Sequence, residues 1–327
     1  MAKKKPKLPI GDPDDPQSLY YYLLRFLEHI KTLNHSPRTL EARESCNRKF
    51  ISWCDQRAMA HPSDITKPVL ERYQRHLFLA RKANGQALSA ATQHAHLRNI
   101  KAYFKWLARG NHILSNPASD LEMPKVPKRL PKNILNPSQA DMIINQADTT
   151  TIAGLRDRAM MEVLYSSGIR RMELSQLQTT DIDTDKGTLM VSHGKGARDR
   201  LIPIGDRAIS WVNKYINQAR PELATDESST TLFLTLTGRP MSMAWLSTVV
   251  KRYVVKADIG KTGSCHLFRH TMATVMLENG ADIRYIQAML GHVCLSTTEI
   301  YTHVSIGKLK EIHTATHPAK NEPRSKQ

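Results

Sequence analysis

The sequence contains no run of about 18 apolar residues, the shortest stretch expected to cross a membrane as a helix. Its first 15 residues are basic and then acidic, and they lack the apolar stretch of a secretory signal peptide. We therefore expect no membrane partner and a cytoplasmic location. Apolar residues still make up 40% of the 327 residues, which is sufficient for two domains with separate cores.

Cysteine is scarce, and the sequence has few features of a metal site. Cys46, Cys54, Cys265 and Cys294 show no paired spacing of the kind that binds zinc. His266 and His270 are four residues apart, as in helical zinc sites, but the glutamate of the H-E-x-x-H motif is missing. Without a secretory signal, reduced thiols are the default. We expect no metal and no cofactor.

Acidic residues are too few to balance the basic ones. The chain has 47 Lys and Arg against 30 Asp and Glu, which gives a net charge of +17 and a pI near 9.8. Residues 1–135 hold 24 basic and 11 acidic side chains, whereas residues 136–327 hold 23 and 19. This imbalance indicates a polyanion binder, with DNA as the leading candidate. Basic faces that serve only solubility are the alternative.

The N-terminal half predicts a tail over residues 1–15 and a helical domain over residues 16–112. Four amphipathic helices are expected, at about 18–33, 36–54, 67–82 and 89–110. Their polar faces carry cations that could follow a DNA backbone: Arg38, Arg43, Arg48, Lys49, Arg98, Lys101 and Lys105. Residues 113–135 then read as a proline-stiffened linker that adds Lys125, Lys128 and Arg129 to these DNA-binding candidates.

Residues 136–327 predict a second domain that mixes helices with a small sheet. Helical segments are expected at about 138–146, 152–167, 206–219 and 243–257. Strands are expected at 187–192 and 200–204, joined through a loop with Lys195 and Arg198, and again at 232–235. The whole chain is thus predicted to be mainly α with a small β-sheet, an α+β fold.

The stretch from Ser264 to Val304 concentrates polar residues suited to phosphate chemistry. His266 and Arg269 are three residues apart, so both leave one face at the start of a helix. A second helix over 283–290 ends at Gly291, which presents His292 from a turn, and Tyr301 follows nine positions later. Cationic donors around a hydroxyl nucleophile suit attack on a phosphodiester, where negative charge builds on the oxygens.

That stretch resembles box II of the tyrosine recombinases, the phage integrase family, and it is most similar to the Xer-type members. Residues 167–174, SGIRRMEL, resemble box I of the same family. The resemblance implies a SAM-like core-binding domain followed by a catalytic domain. It implies a catalytic set with Tyr301 as the nucleophile, and with Arg170 rather than its neighbour Arg171 as the first arginine: Arg170, Lys195, His266, Arg269, His292 and Tyr301. Glu173 would support Arg170 through a charge-assisted hydrogen bond, and Arg171 and Arg198 join the DNA-binding candidates.

The same resemblance implies a reaction. The enzyme would cut and rejoin double-stranded DNA at recombination sites through a 3′-phosphotyrosine link and a Holliday junction. A homotetramer on two synapsed sites would carry this out, or an assembly with a related recombinase, with a tail helix at about 305–317 docked into a neighbour. The biological role would be integration or excision of a mobile element, or dimer resolution, at the nucleoid. The alternatives are a type IB topoisomerase and a non-catalytic DNA-binding accessory protein.

We predict that DNA affinity falls steeply with salt, because Lys and Arg side chains that neutralise phosphates release counterions. Residues 1–135 alone should retain part of this binding, since they carry most of the excess positive charge. Gel shifts at a series of salt concentrations measure both effects. A fragment of residues 1–135 that binds no DNA at low salt would contradict the prediction.

Overall fold

The computed structural model describes residues 10–12, 14–127, 133–192, 199–225 and 230–291. The chain divides into two compact units, residues 1–128 and 129–327, referred to below as the first and second unit. Within those described ranges, no helix combines the length and apolarity needed to cross a membrane.

The described part of the first unit is built from the four α-helices that the periodicity predicted. Serine side chains begin three of them, since Ser18, Ser36 and Ser89 each accept a hydrogen bond from the backbone N–H three residues later. A short 3₁₀ turn, Pro62–Asp64, precedes the third helix. The helices are α1 Leu19–Thr32, α2 Pro37–Asp55, α3 Lys67–Leu79 and α4 Ala90–Arg109.

Aromatic side chains fill the core of the first unit. The Phe50 ring meets Tyr73 edge-on at 4.9 Å between centroids and Phe104 at 6.0 Å. Tyr103 is fully buried and donates its hydroxyl hydrogen to the Leu19 carbonyl at 2.7 Å. Large buried rings supply much of the apolar area of such a bundle, and a buried tyrosine hydroxyl needs a partner of this kind.

Packed residues occupy both ends of the range that the sequence predicted as a linker. Ala118 and Leu121 are buried in the core of the first unit, and Leu135 is buried in the core of the second. The prolines remove any helical periodicity from residues 113–135, so the sequence showed no pattern that predicts these isolated apolar contacts. Lys101 donates from Nζ to the carbonyls of Ser119 at 3.0 Å and Leu121 at 3.1 Å, and its predicted DNA contact stays a prediction.

The second unit combines helices with a small antiparallel sheet. Within the described residues the strand order is β1-β2-β3, with Leu189 opposite Ile182 on one side and Ile202 on the other. The strands are β1 Ile182–Asp183, β2 Thr188–Val191 and β3 Arg200–Pro203. The helices are α5 Pro137–Ile144, α6 Ile152–Ser167, α7 Arg171–Gln176, α8 Asp206–Lys214, α9 Arg220–Leu223, α10 Met243–Lys256, α11 His266–Glu278 and α12 Ile283–Leu290. A π-helical turn, Tyr215–Ala219, joins α8 to α9.

Helix α6 is the centre of this unit, because it is buried on nearly all sides. Most of its apolar residues belong to the main core, and its charged residues Arg156, Asp157 and Glu162 are buried as well. Arg156 pairs with Asp157 at 2.7 Å, and the Tyr253 hydroxyl donates to the same carboxylate at 2.9 Å. These partners satisfy charges that would otherwise be costly to bury.

The prediction of a strand at 232–235 is wrong. Residues 231 and 234 form only isolated bridges, to Gln178 and Pro240. A side chain supplies part of the backbone hydrogen bonding: the Tyr215 hydroxyl donates to the Leu232 carbonyl at 3.0 Å and accepts from the Leu234 N–H at 3.2 Å. The sheet gains β1 instead, which at two residues is too short to show alternation.

We predict that Tyr215→Phe destabilises the protein by about 1–3 kcal/mol, because it leaves buried backbone groups of Leu232 and Leu234 without this partner. Urea denaturation followed by circular dichroism measures the loss. Tyr285→Phe is the matched control, since Tyr285 is 72% exposed in the same unit and should change stability by less than about 0.5 kcal/mol. Equal effects of the two substitutions would contradict the assignment.

Candidate active site

The turn after α6 presents the first arginine. Gly168 ends the helix in the left-handed region with φ of 60°, and a Cβ atom there would lie 2.0 Å from the Met272 side chain. The backbone angle therefore favours glycine at this position, and the side chain of Met272 on α11 packs close against it. Ile169 is buried, and Arg170 follows as the N-cap residue of α7.

Glu173 is buried and binds two arginines. Arg170 donates from its backbone N–H at 2.7 Å and from Nη1 at 2.9 Å. Arg200 adds a bidentate pair, from Nη1 at 3.0 Å and from Nη2 at 2.9 Å. The hydrogen bond expected between Glu173 and Arg170 is thus present. Arg200 had no predicted role.

The environment of Glu173 keeps its carboxyl group ionised. Burial alone would raise its pKa, but the hydrogen bonds from Arg200 and from the Arg170 backbone, together with the Arg200 charge, lower it below the ordinary value. The carboxylate therefore remains a counterion for both guanidinium groups at neutral pH.

Arg269 joins the ends of two helices. It lies on α11 with only 5% of its surface exposed. Its Nη1 donates to the Gly168 carbonyl at 2.6 Å, and its Nη2 donates to the Leu290 carbonyl at 2.8 Å. The second predicted arginine is thus placed between the turn that carries Arg170 and the end of α12.

The carboxyl end of α12 is held by arginines from three elements. Arg200 Nε donates to the Met289 carbonyl at 2.9 Å, Arg269 to Leu290, and Arg170 Nη2 to the Gly291 carbonyl at 3.2 Å. The last carbonyls of a helix carry partial negative charge and lack helical partners, so guanidinium groups suit this position. Gly291, with φ of 61°, ends the helix as predicted and directly precedes His292.

His266 begins α11 beside these arginines. Removal of water from around the imidazole lowers its pKa, and the charges of Arg171, Arg269 and Arg170 lower it further. His270 lies one turn on, with 6.5 Å between the ring centroids, and burial and the charges of His266 and Arg269 lower its pKa too. A neutral imidazole at position 266 can accept a proton near neutral pH. Among the described residues, no group of three or more His, Cys, Asp or Glu is placed to hold a metal ion.

The two neighbouring arginines of the α7 turn point to different partners. Arg170 contacts Glu173 and Gly291, as described above. Arg171 Nη1 instead contacts the Ser247 hydroxyl on α10, and the side chain is half-buried. The arrangement is compatible with Arg170 as the first catalytic arginine, while the predicted DNA contact of Arg171 stays a prediction.

The predicted DNA-binding cations of the first unit differ in their surroundings. Arg43 is half-buried and lies over the Phe26 ring at 5.4 Å, and burial followed by the Arg98 charge lowers its pKa. Arg48 is half-buried and donates to the Tyr20 hydroxyl at 3.1 Å. The remaining described candidates are exposed: Arg38, Lys49, Arg98, Lys105 and Lys125. The exposed group is accessible to solvent, with Arg38 3.9 Å from Glu41, whereas Arg43 and Arg48 are half-buried against aromatic side chains.

Several predicted residues lie outside the described ranges. They are Lys128, Arg129, Lys195, Arg198, His292 and Tyr301, together with the tail helix expected at about 305–317. Their roles stay predictions. In the described part of the site, the structure brings Arg170, Glu173, His266 and Arg269 together, and Arg200 is the addition that the sequence did not reveal.

The fold and the site together point to one class of protein. The helical first unit is followed by a second unit in which Arg170 and Arg200 bind the buried carboxylate of Glu173. The second unit holds a site rich in guanidinium groups, which suits phosphate oxygens, and the excess positive charge of the chain suits DNA. Comparison with known families agrees with this. Residues 133–307 match the phage integrase family, and residues 22–111 match the phage integrase N-terminal SAM-like domain.

The similarity to known relatives extends over nearly the whole chain. Tyrosine recombinase XerC 2 of Ralstonia nicotianae is 50% identical over 320 residues, covering 98% of this chain and 92% of the relative. Tyrosine recombinase XerD of Staphylococcus epidermidis is 32% identical over 295 residues, covering 90% and 97%. The chain therefore belongs to the phage integrase family of tyrosine recombinases, and within it to the Xer type. It is an enzyme of site-specific recombination that cleaves and rejoins DNA.

A solved relative shows the same fold. The XerH site-specific recombinase in a post-cleavage complex with palindromic difH substrate superposes with a TM-score of 0.71 and 21% identity, covering 89% of this chain and 83% of XerH. The family resemblance and the α+β fold class drawn from the sequence are confirmed.

We predict that the free energy of unfolding falls as the pH is lowered from about 7.5 to about 5.5, and that His270→Gln reduces this loss. The pKa values of His266 and His270 are lowered in the folded protein, so below the ordinary histidine value of about 6.5 the unfolded chain binds more protons. Stability is therefore greatest above that pH and is lost progressively below it.

Thermal melts over a pH series measure the effect. His96 in the first unit also has a pKa lowered by burial and by the Lys49 charge, so part of the loss should remain in the variant. Identical pH dependence in wild type and His270→Gln would contradict the prediction.

Proposed function

We propose that the chain recombines DNA through a covalent 3′-phosphotyrosine intermediate formed by Tyr301. The observation that supports this most is the convergence of Arg170 and Arg269 on the carboxyl end of α12, directly before the segment that contains His292 and Tyr301. The Xer-type relatives point to the same chemistry.

The arginines supply the positive charge that the reaction needs. Attack on a phosphodiester places additional negative charge on the non-bridging oxygens, and preorganised donors stabilise that charge. The Arg170 guanidinium group has five N–H donors. Its Nη1 donates to Glu173 and its Nη2 to the Gly291 carbonyl, and 22% of the side-chain surface stays exposed. Arg269 adds charge from its buried position. Loss of one preorganised donor of this kind costs about 2.7–4 kcal/mol of transition-state stabilisation.

Proton transfers complete the reaction. A tyrosine hydroxyl has an ordinary pKa of about 10, so Tyr301 needs a base to attack near neutral pH. His266 is suited to this because its lowered pKa favours the neutral imidazole. His292 would donate a hydrogen bond to a phosphoryl oxygen, and Lys195 would protonate the departing 5′ oxygen. The phosphotyrosine bond keeps the energy of the broken phosphodiester, so rejoining requires no nucleotide cofactor.

The substrate of this proposal is a double-stranded DNA recombination site. A solved relative, XerH, is bound to its palindromic difH substrate after cleavage. Exchange between two duplexes requires one active subunit for each broken strand, so we place a homotetramer on two synapsed sites, acting at the nucleoid in the cytoplasm. Mobile-element integration or excision and dimer resolution are the two roles this assembly would serve.

We predict that Tyr301→Phe abolishes the covalent protein–DNA adduct but leaves DNA affinity within about twofold, because one hydroxyl contributes little binding surface. A suicide substrate nicked near the cleavage point should trap wild type as a slowly migrating band on a denaturing gel. Tyr285→Phe, at an exposed position of α12, is the matched control and should form the adduct normally.

Trapping of the Tyr301→Phe variant would show that another group is the nucleophile. The same proteins on DNA with two sites then separate recombination from relaxation. An enzyme that relaxes supercoiled DNA but never exchanges strands between two sites would support a type IB topoisomerase instead.

A further inference from the structure

Arg200 makes more contacts to the arginine site than any role assigned above requires. It begins β3, and its side chain is 13% exposed. Its two terminal nitrogens bind both oxygens of Glu173, and its Nε binds the Met289 carbonyl at 2.9 Å. A guanidinium group that binds a carboxylate through two parallel bonds and a carbonyl through a third is held in one orientation.

These contacts join three separate elements. β3 supplies Arg200, α7 supplies Glu173, and the end of α12 supplies Met289. The fit at α12 is close, because a Cβ atom at Gly291 would lie 3.2 Å from the Arg200 guanidinium carbon. The guanidinium group therefore packs directly against the residue that precedes His292.

Glu173 depends on Arg200 for half of its hydrogen bonds in the described structure. Its carboxylate accepts two bonds from Arg170 and two from Arg200, and Oε1 is shared by both guanidinium groups. Without Arg200, the carboxylate would keep only its two bonds from Arg170, one to each oxygen, and would lose two hydrogen bonds and one counterion, so it could shift. Arg170 would move with it, because Arg170 Nη1 binds Oε1.

We propose that Arg200 is a positioning residue for the recombination reaction. It acts through Glu173 on Arg170 and through Met289 on the end of α12, and it does not itself bind the reacting phosphate. The inference rests on the proposed function only in that Arg170 stabilises the reacting phosphate.

A purely structural role is the competing interpretation, and another arginine of the same unit provides the control. Arg158 on α6 pairs with buried Glu162 at 3.0 Å, and its side chain is 12% exposed. The two ion pairs match in type, distance and burial. Arg200 lies 2.9 Å from Glu173, whose side chain is 1% exposed. Arg158 lies 3.0 Å from Glu162, whose side chain is 2% exposed. Arg158 binds Glu162 and Asn145 and has no described contact with Arg170 or α12.

The experiment compares Arg200→Gln, Arg200→Lys and Arg158→Gln with wild type in the full-length protein. For each we would measure the melting temperature, the dissociation constant for a DNA site, and the single-turnover rate of strand cleavage. Cleavage is counted as release of the nicked strand, which does not depend on which residue is the nucleophile. A failure of the Tyr301 assignment is therefore distinguishable from a failure of this proposal.

We expect Arg200→Gln to slow cleavage at least about tenfold, since a small misplacement of catalytic groups is costly, while DNA affinity stays within about twofold. Arg158→Gln should lower the melting temperature by a similar amount and cleave at the wild-type rate. Arg200→Lys keeps the charge but loses the bidentate geometry, so it should stay folded and remain slow. If Arg200→Gln does not fold, the lysine variant decides the question.

A double-mutant cycle tests whether Arg200 affects the cleavage rate through Glu173. If Arg200 acts through Glu173, Arg200→Gln combined with Glu173→Gln should cleave faster than the product of the two separate losses. Wild-type cleavage by folded Arg200→Gln or Arg200→Lys would overturn the proposal. Equal loss of cleavage in Arg158→Gln, or fully multiplicative losses in the cycle, would overturn it as well.

Discussion

The described part of the candidate active site depends on one buried carboxylate. Glu173 is almost fully buried, yet its pKa is lowered rather than raised, because Arg170 and Arg200 bind both of its oxygens. A buried negative charge of this kind is stable only when it is paired and fully hydrogen-bonded. In return, it holds two positive guanidinium groups close together, which would otherwise repel each other. The glutamate thus sets the direction of Arg170 before any DNA is present.

The arginines also determine where one helix ends. Met289, Leu290 and Gly291 each offer a carbonyl to a different arginine, from β3, α11 and the α7 turn. These guanidinium groups neutralise the partial negative charge at the end of α12. Two of them, Arg170 and Arg269, are also the groups whose charge the proposed reaction needs.

Sequence reasoning recovered most of this arrangement where local spacing carries the information. The helices of both units, Gly168 as a turn, Gly291 as a helix end and the Glu173–Arg170 hydrogen bond all follow from residues within a few positions of each other. It was wrong about the strand at 232–235, where only isolated bridges form and the Tyr215 hydroxyl binds backbone groups of Leu232 and Leu234. The DNA contact assigned to Lys101 stays a prediction; its ammonium group donates to the carbonyls of Ser119 and Leu121.

The sequence by itself determined the family, the two-unit order and the chemical types gathered in the site, because motifs such as SGIRRMEL and the stretch from Ser264 to Val304 are contiguous. Only the tertiary structure revealed Arg200, which lies 27 residues from Glu173 and 89 from Met289 along the chain. An arginine at the start of a short strand shows no periodicity or spacing that predicts a partner. Its contacts exist because β3, α7 and α12 pack together, and long-range packing of this kind depends on the whole core rather than on any local pattern.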